Sequence, residues 1–161
     1  MFKVEVKDRQ VLELLNRLSG GMKNMSPAMA NVAQALATQS ERQFKTQSGP
    51  FGGWPVLTGT TIAMRTKKGT WPGRMLDVSA GGLAASVQPS YSANSASIGS
   101  NKVYAAMQMF GGTTSSKSMI PGKKIPARPY LPFNAQTGQL TTNAQTTVLE
   151  VLQAHIDRLA R

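Results

Sequence analysis

The feature that most restricts the fold of this chain is the block IPARPYLPF, in which Pro126, Pro129 and Pro132 recur at every third position. Each proline holds φ at about −65° and removes a backbone donor, which bars the segment from helix interiors and from the middle of a sheet. It is therefore expected to be a stiff, extended arm or edge. A second block, YAAMQMFGG at residues 104–112, runs from Tyr104 through Gln108 to Gly111 and Gly112. Between the two lies TTSSKSMIPGKK, residues 113–124, which holds almost nothing that could build a core. The pattern predicts two anchored ends around a mobile basic loop carrying Lys117, Lys123 and Lys124. Arg128 sits between Pro126 and Pro129 with no acid nearby in sequence. Its guanidinium must find a carboxylate, a carbonyl or a partner chain elsewhere. The competing reading is a proline-stiffened turn with a solvated arginine.

Charge is distributed as unevenly as the prolines. Of the net +11, residues 1–41 contribute five basic and four acidic groups and residues 129–161 two of each, whereas residues 42–128 hold eleven basic groups against Asp77 alone. A field of one sign over so long a span points to an anionic partner or an acidic neighbouring protein. The cations are thinly spread, with Lys67-Lys68 and Lys123-Lys124 as adjacent pairs, and no nucleic-acid recognition motif accompanies them. The chain has no cysteine, which excludes disulfides, a thiolate zinc site and a cysteine nucleophile, and fits assembly in a reducing cytoplasm. Its start, MFKVEVKDRQ, is charged and alternating, and no apolar run is long enough to cross a bilayer. The expectation is a chain that is neither exported by a standard signal nor membrane-spanning. One histidine and seven carboxylates are too scattered to converge on a reaction, so neither an enzyme nor a cofactor or metal is expected. His155, beside an apolar stripe, reads as a satisfied structural imidazole or an exposed one rather than a lone base. The glycine pairs at 20–21, 52–53, 81–82 and 111–112 lack the lysine or strand–helix context of a phosphate cradle and read as turns.

Local patterning predicts an α+β domain. Phe2, Val4 and Val6 alternate with Lys3, Glu5 and Lys7, the period of a half-buried strand. Asp8 then caps a short helix over residues 9–18 that Ser19-Gly20-Gly21 ends. A second helix opens with Ser26 as cap and Pro27 in first position, and Met25, Met29, Val32 and Leu36 carry an apolar stripe toward Phe44. Its Ala, Asn, Gln and Ser side suits burial on two sides or close packing on another protein. SGPFGGWPVLTGT reads as a loop plugged by Phe51 and Trp54, residues 61–68 and 73–76 as ambiguous short elements, and Trp71-Pro72 as a turn. Residues 83–90 and 96–100 read as an antiparallel hairpin, residues 103–109 as a helical turn or a strand, and residues 141–160 as a helix with Val148, Val151, Leu152, Ile156 and Leu159 on one side. The expected whole is one domain over residues 1–161: a strand–helix–helix region at 1–47, a small antiparallel sheet, a long exposed loop and the C-terminal helix.

These blocks together resemble the phage virion morphogenesis proteins, the tail completion group of contractile and Mu-like phages. The likeness runs through Phe44, Pro50, Gly52, Gly53, Trp54 and Leu57, then Met75-Leu76 ahead of Gly82-Leu83, Ser86-Val87 and Ile98-Gly99-Ser100-Asn101. It ends in YAAMQMFGG and IPARPYLPF, covering about residues 40–133, and its specificity lies in the order and spacing of the pieces. Met107 stands where the family often has a histidine, and Pro132 where a glycine is usual. The resemblance implies a small α+β subunit of a ring, a hexamer, at the head-proximal end of the tail. There it would complete the tail and join it to the head, beside a tail terminator and a head–tail connector, with DNA passing through the lumen. Such a protein is built in the host cytoplasm and resides in the virion. Arg128, Pro126, Pro129, Tyr130, Tyr104, Gln108, Gly111 and Gly112 are the expected partner contacts, and Trp54, Phe44 and Leu131 the expected core anchors. The alternative is a basic DNA-binding protein or a transient scaffold of virion assembly.

Overall fold

One long helix gathers the C-terminal helix and the main β-hairpin of the described residues around itself. The computed structural model describes residues 9–118, 120–134 and 136–161, so the strand expected at residues 2–6 and its Asp8 cap lie outside the described residues. Helix α2, Ser26–Thr46, follows α1, Arg9–Lys23, after a two-residue break. Proline in its first turn lacks an N–H that would otherwise be an orphan there. The cap position belongs to Met25 and not to Ser26: Asn24 Oδ1 accepts from the Ser26 N–H at 3.1 Å, doing the work expected of the serine hydroxyl. The helix ends at Gln47, which turns left-handed at φ 52° and returns its N–H to the Gln43 carbonyl.

The buried side of α2 is Ala28, Val32, Ala33, Leu36, Ala37, Ser40 and Phe44. Small residues dominate it, so neighbours approach closely from two directions, α6 from one and a β-hairpin from the other. Helix α6, Thr142–Ala160, starts at Thr141, whose Oγ1 accepts from the Ala144 N–H at 3.3 Å. Val32 and Leu36 meet Ala144, with Val148, Val151 and Leu152 around them, and Gln39 Nε2 donates to Thr147 Oγ1 at 2.8 Å. Helix α1 packs on α6 and runs straight through Ser19-Gly20-Gly21, where a stop was expected. The reason is steric. A Cβ on Gly21 would stand 2.4 Å from Leu159 Cδ1, so this glycine serves helix contact and not termination.

The second flank is the hairpin of β3, Val87–Tyr91, and β4, Ala96–Ser100, paired with Val87 opposite Ser100 and Tyr91 opposite Ala96. Residues 83–86, expected as strand, instead form the helical turn α4, Leu83–Ser86, which buries Leu83. Phe44, Trp54, Leu83, Ala105, Met109 and Tyr130 make a second core, bordered by Met75, Leu76, Leu131 and Phe133. Trp54 enters it behind the small hairpin β1, Ser48–Gly49, and β2, Gly52–Gly53. Phe51, at that hairpin's tip, is 70% exposed, so the two aromatics expected to plug this loop part company. The ambiguous stretch after it resolves into α3, Gly59–Lys67, capped by Thr58. Arg65 closes the Trp71-Pro72 turn by lying 5.5 Å over the Trp71 ring and donating to the Thr70 and Arg74 carbonyls at 3.1 and 2.8 Å. With α5, Ala105–Phe110, and the pair β5, Gly112–Thr113, and β6, Lys124–Ile125, the described residues form an α+β fold of six helices and three two-stranded antiparallel pairs.

Candidate functional site

Three prolines leave a segment with spare carbonyls and few donors, and this structure satisfies two of those carbonyls with side chains. Trp54 Nε1 donates to the Pro129 carbonyl at 2.8 Å and Ser40 Oγ to the Tyr130 carbonyl at 2.6 Å. The Arg128 N–H, one of the donors the block retains, reaches the Gln108 carbonyl at 2.7 Å. Tyr130 places its N–H 3.4 Å from Met109 Sδ and its hydroxyl 3.2 Å from the Ala105 carbonyl. The Phe44 ring packs against Trp54 edge-on at 5.7 Å and against Tyr130 at 5.2 Å. The YAAMQMFGG and IPARPYLPF blocks are thereby stitched into one frame. Gly111 allows it: at φ 70°, a Cβ there would lie 2.7 Å from Ala127 N and 2.9 Å from the Ile125 carbonyl oxygen.

Arg128 is 5% exposed, and its guanidinium donates from Nε to the Pro55 carbonyl at 3.0 Å and from Nη2 to the Val56 carbonyl at 3.2 Å. The side chain expected to reach an adjacent subunit is thus a strut within its own. Tyr130, also expected at a contact, is 2% exposed and lies in the core. The cause is visible in the charge distribution: Asp77, the one acid of residues 42–128, is held by Arg74 at 3.0 Å, and carbonyls are the acceptors within reach. Burial lowers the Arg128 pKa and raises that of the Tyr130 phenol, in both cases because desolvation disfavours the charged form. Pro126 and Pro129 are half-buried beside them, Leu131 borders the core, and the Gln108 side chain keeps Oε1 buried without a hydrogen bond.

What the frame presents outward is different. Val103, Tyr104 and Phe110 are exposed, and the Phe110 ring stands 6.2 Å from that of Phe133. Met107, standing where proteins of the resembled family often have a histidine, lays its sulfur against Gly112. From Gly112 onward the chain rises into the β5–β6 hairpin, organised by Thr114, a residue that sequence reasoning missed. The Thr114 N–H donates to the Lys123 carbonyl at 3.0 Å, its carbonyl accepts from Gly122 at 3.0 Å, and its Oγ1 accepts from the Lys123 N–H at 2.9 Å while donating to the Ile120 carbonyl. Lys117, Lys123 and Lys124 are all exposed around it. Elsewhere, His155 is buried with neither ring nitrogen hydrogen-bonded. Among the described residues no group of His, Cys, Asp or Glu could hold a metal, and no helix is long and apolar enough to cross a membrane.

The profile of the phage virion morphogenesis family matches residues 6–157. The chain belongs to this family. Among relatives, the putative capsid assembly protein G of Escherichia phage Mu is 36% identical over 110 residues, 67% of this chain and 68% of that protein. The Mu-like prophage FluMu G protein 2 of Haemophilus influenzae is 26% identical over 162 residues, the full length of both. No solved structure matches. In this family member the two blocks that carry the likeness are the two halves of one locked frame, with an exposed basic hairpin between them.

Proposed function

We propose that this virion morphogenesis protein is a non-enzymatic structural subunit at the head-proximal end of the phage tail, which assembles with copies of itself into a ring that completes the tail and joins it to the head. The observation that carries the reading is the contrast within residues 103–133. A frame fastened by side-chain bonds to five carbonyls holds out a hairpin and an exposed apolar rim of Val103, Tyr104 and Phe110. A rigid base with a projecting, cationic element suits a subunit that meets several neighbours, among them a tail terminator or a head–tail connector. The test is a phage lacking this gene, complemented in trans. Loss should give separated heads and tails by electron microscopy, and mass spectrometry should find the protein in purified virions. Joined particles without the gene would refute the placement, and absence from virions would favour a transient role in assembly.

A second reading has its own observation: Lys67, Lys68, Lys117, Lys123 and Lys124 are exposed within a span that has one acid. A ring around DNA would turn such cations inward. Contact with DNA as the main activity predicts tight binding by the free subunit, with a log–log salt slope of about −0.9 per phosphate contact. The expected result is weak binding by the monomer, strengthened on ring formation.

A further inference from the structure

The β3–β4 hairpin leaves one edge open. Ser92 donates its N–H to the Ser95 carbonyl at 2.8 Å across the turn. Hydrogen-bonded and non-hydrogen-bonded pairs alternate along an antiparallel ladder, so counting from Ser92 and Ser95 makes Tyr91–Ala96, Pro89–Ile98 and Val87–Ser100 the pairs whose backbone groups point outward. Pro89 agrees with that register, since its missing N–H costs no ladder bond there. The two edges therefore differ. The outward row of β3 is broken by Pro89. The outward groups of Ala96, Ile98 and Ser100 on β4 make no backbone hydrogen bond to any other described element. Nothing blunts this second edge, because ASIGS has no charge, no proline and no bulky exposed side chain, whereas strands that must stay unpaired usually carry such features. Its two faces are also distinct: Ala96 and Ile98 join the cluster of Val32, Leu36 and Ala144, while Ser97 and Gly99 face solvent. A strand added here needs apolar side chains at alternate positions and polar ones between.

The chain itself supplies that pattern in residues 2–7, where Phe2, Val4 and Val6 alternate with Lys3, Glu5 and Lys7. We propose that the outer edge of β4 is an assembly site that takes an extended strand from a second copy of this chain, donated by residues 2–7. Phe2, Val4 and Val6 face the Ala96–Ile98 side and the charged residues face water, so main-chain bonds supply affinity and alternation supplies register. Extended, residues 2–7 span roughly 20 Å, enough to run the full length of the five-residue β4. The inference rests on the reading of this protein as a self-assembling subunit.

Because the chain has no cysteine, single cysteines report the pairing directly. Copies with Lys3→Cys, Glu5→Cys or Lys7→Cys are mixed, each with a mass-tagged copy carrying Gly99→Cys, a position with open space at its Cβ. A disulfide-linked heterodimer is expected for at least one of the three. Adding Ala96→Pro, which removes an outward N–H and no ladder bond, should cut its yield by about fivefold to tenfold, the effect of one hydrogen bond, with the melting curve unchanged. Deleting residues 2–7 should weaken self-association in sedimentation. The proposal is overturned if no heterodimer forms, if association survives the deletion intact, or if a single chain carrying both cysteines closes on itself while mixed copies stay monomeric. Should strand exchange fail while the gene deletion still separates heads from tails, the exchange alone falls and the proposed function stands.

Discussion

Arg128→Ala is the substitution with the sharpest expected consequence. It removes two charge-assisted hydrogen bonds, at 3.0 and 3.2 Å, from a residue that is 5% exposed. Such bonds contribute about 1.5–3 kcal/mol each. Pro55 and Val56 are themselves exposed, so their carbonyls regain water once the guanidinium is gone, and the net loss belongs near the bottom of the sum, about 3 kcal/mol. For a domain of this length 1 kcal/mol moves the melting temperature by about 2–4 °C, which makes the expected drop roughly 6–12 °C. Arg128→Lys keeps the charge but has no planar fork to span both carbonyls, and should fall about halfway. Arg74→Ala is the internal control: its pair with Asp77 is exposed and worth less than about 1 kcal/mol. The assay is thermal and urea unfolding of the purified subunit, run beside the yield of joined particles from a complemented phage. If Arg128→Ala melts like Arg74→Ala, the strut assignment is wrong. If it melts like the parent yet yields separated heads and tails, Arg128 acts at an interface after all.

Gly111→Ala places a Cβ within 3 Å of two backbone atoms of the proline block, Ala127 N and the Ile125 oxygen, at φ 70°, and should cost about 2–3 kcal/mol in urea unfolding. Gly20→Ala, in helix α1 with nothing within 4 Å, should instead stabilise by about 0.5–1 kcal/mol, and a loss there would contradict the continuous helix. Since burial raises the Tyr130 phenol above 10.0, the folded state keeps that proton longer than the unfolded one: stability is intact below pH 10 and declines as pH rises from there through the raised value. Tyr130→Phe should abolish that alkaline decline in urea midpoints while costing about 1 kcal/mol at neutral pH for the bond to Ala105. Limited trypsin digestion should cut first at Lys117, Lys123 or Lys124, which stand exposed on the β5–β6 hairpin. First cleavage at Arg42 or Lys45 in α2 would refute that order of stability.

The two long helices, α2 and α6, were legible because their signals are local. Pro27, the stripe through Val32 and Leu36, and the spacing from Val148 to Leu152 mark α2 and α6 without reference to anything distant. Glycine misled at position 21, since a stop and a close helix contact demand the same residue and Leu159, which distinguishes them, is far away in sequence. The same holds for Arg128. Its neighbours reveal that it lacks an acid, but not that the carbonyls of Pro55 and Val56 will stand in for one. Ser40 could have been found, because it lies one helical turn before Phe44 and so on the buried side of α2. Thr114 could not. Its four bonds depend on where the loop returns, and no short pattern announces a threonine at the hub of a hairpin.

Helix α2 also sets how the molecule can deform. With 21 residues it is about 31 Å long, and it touches α6 near Leu36 and the proline block through Ser40 and Phe44. At the seam Val32 and Leu36 are wedged among Ala144, Val148, Val151 and Leu152, where a change of rotamer would collide with close-packed neighbours, so a push on α6 is not dissipated in side chains there. A slip of α2 by one residue would turn Gln39 away from Thr147 and Ser40 away from the Tyr130 carbonyl in the same motion. The helix behaves as a driveshaft with keyed ends: a load applied at the C-terminal helix is delivered, with little backlash, to the frame that carries the basic hairpin.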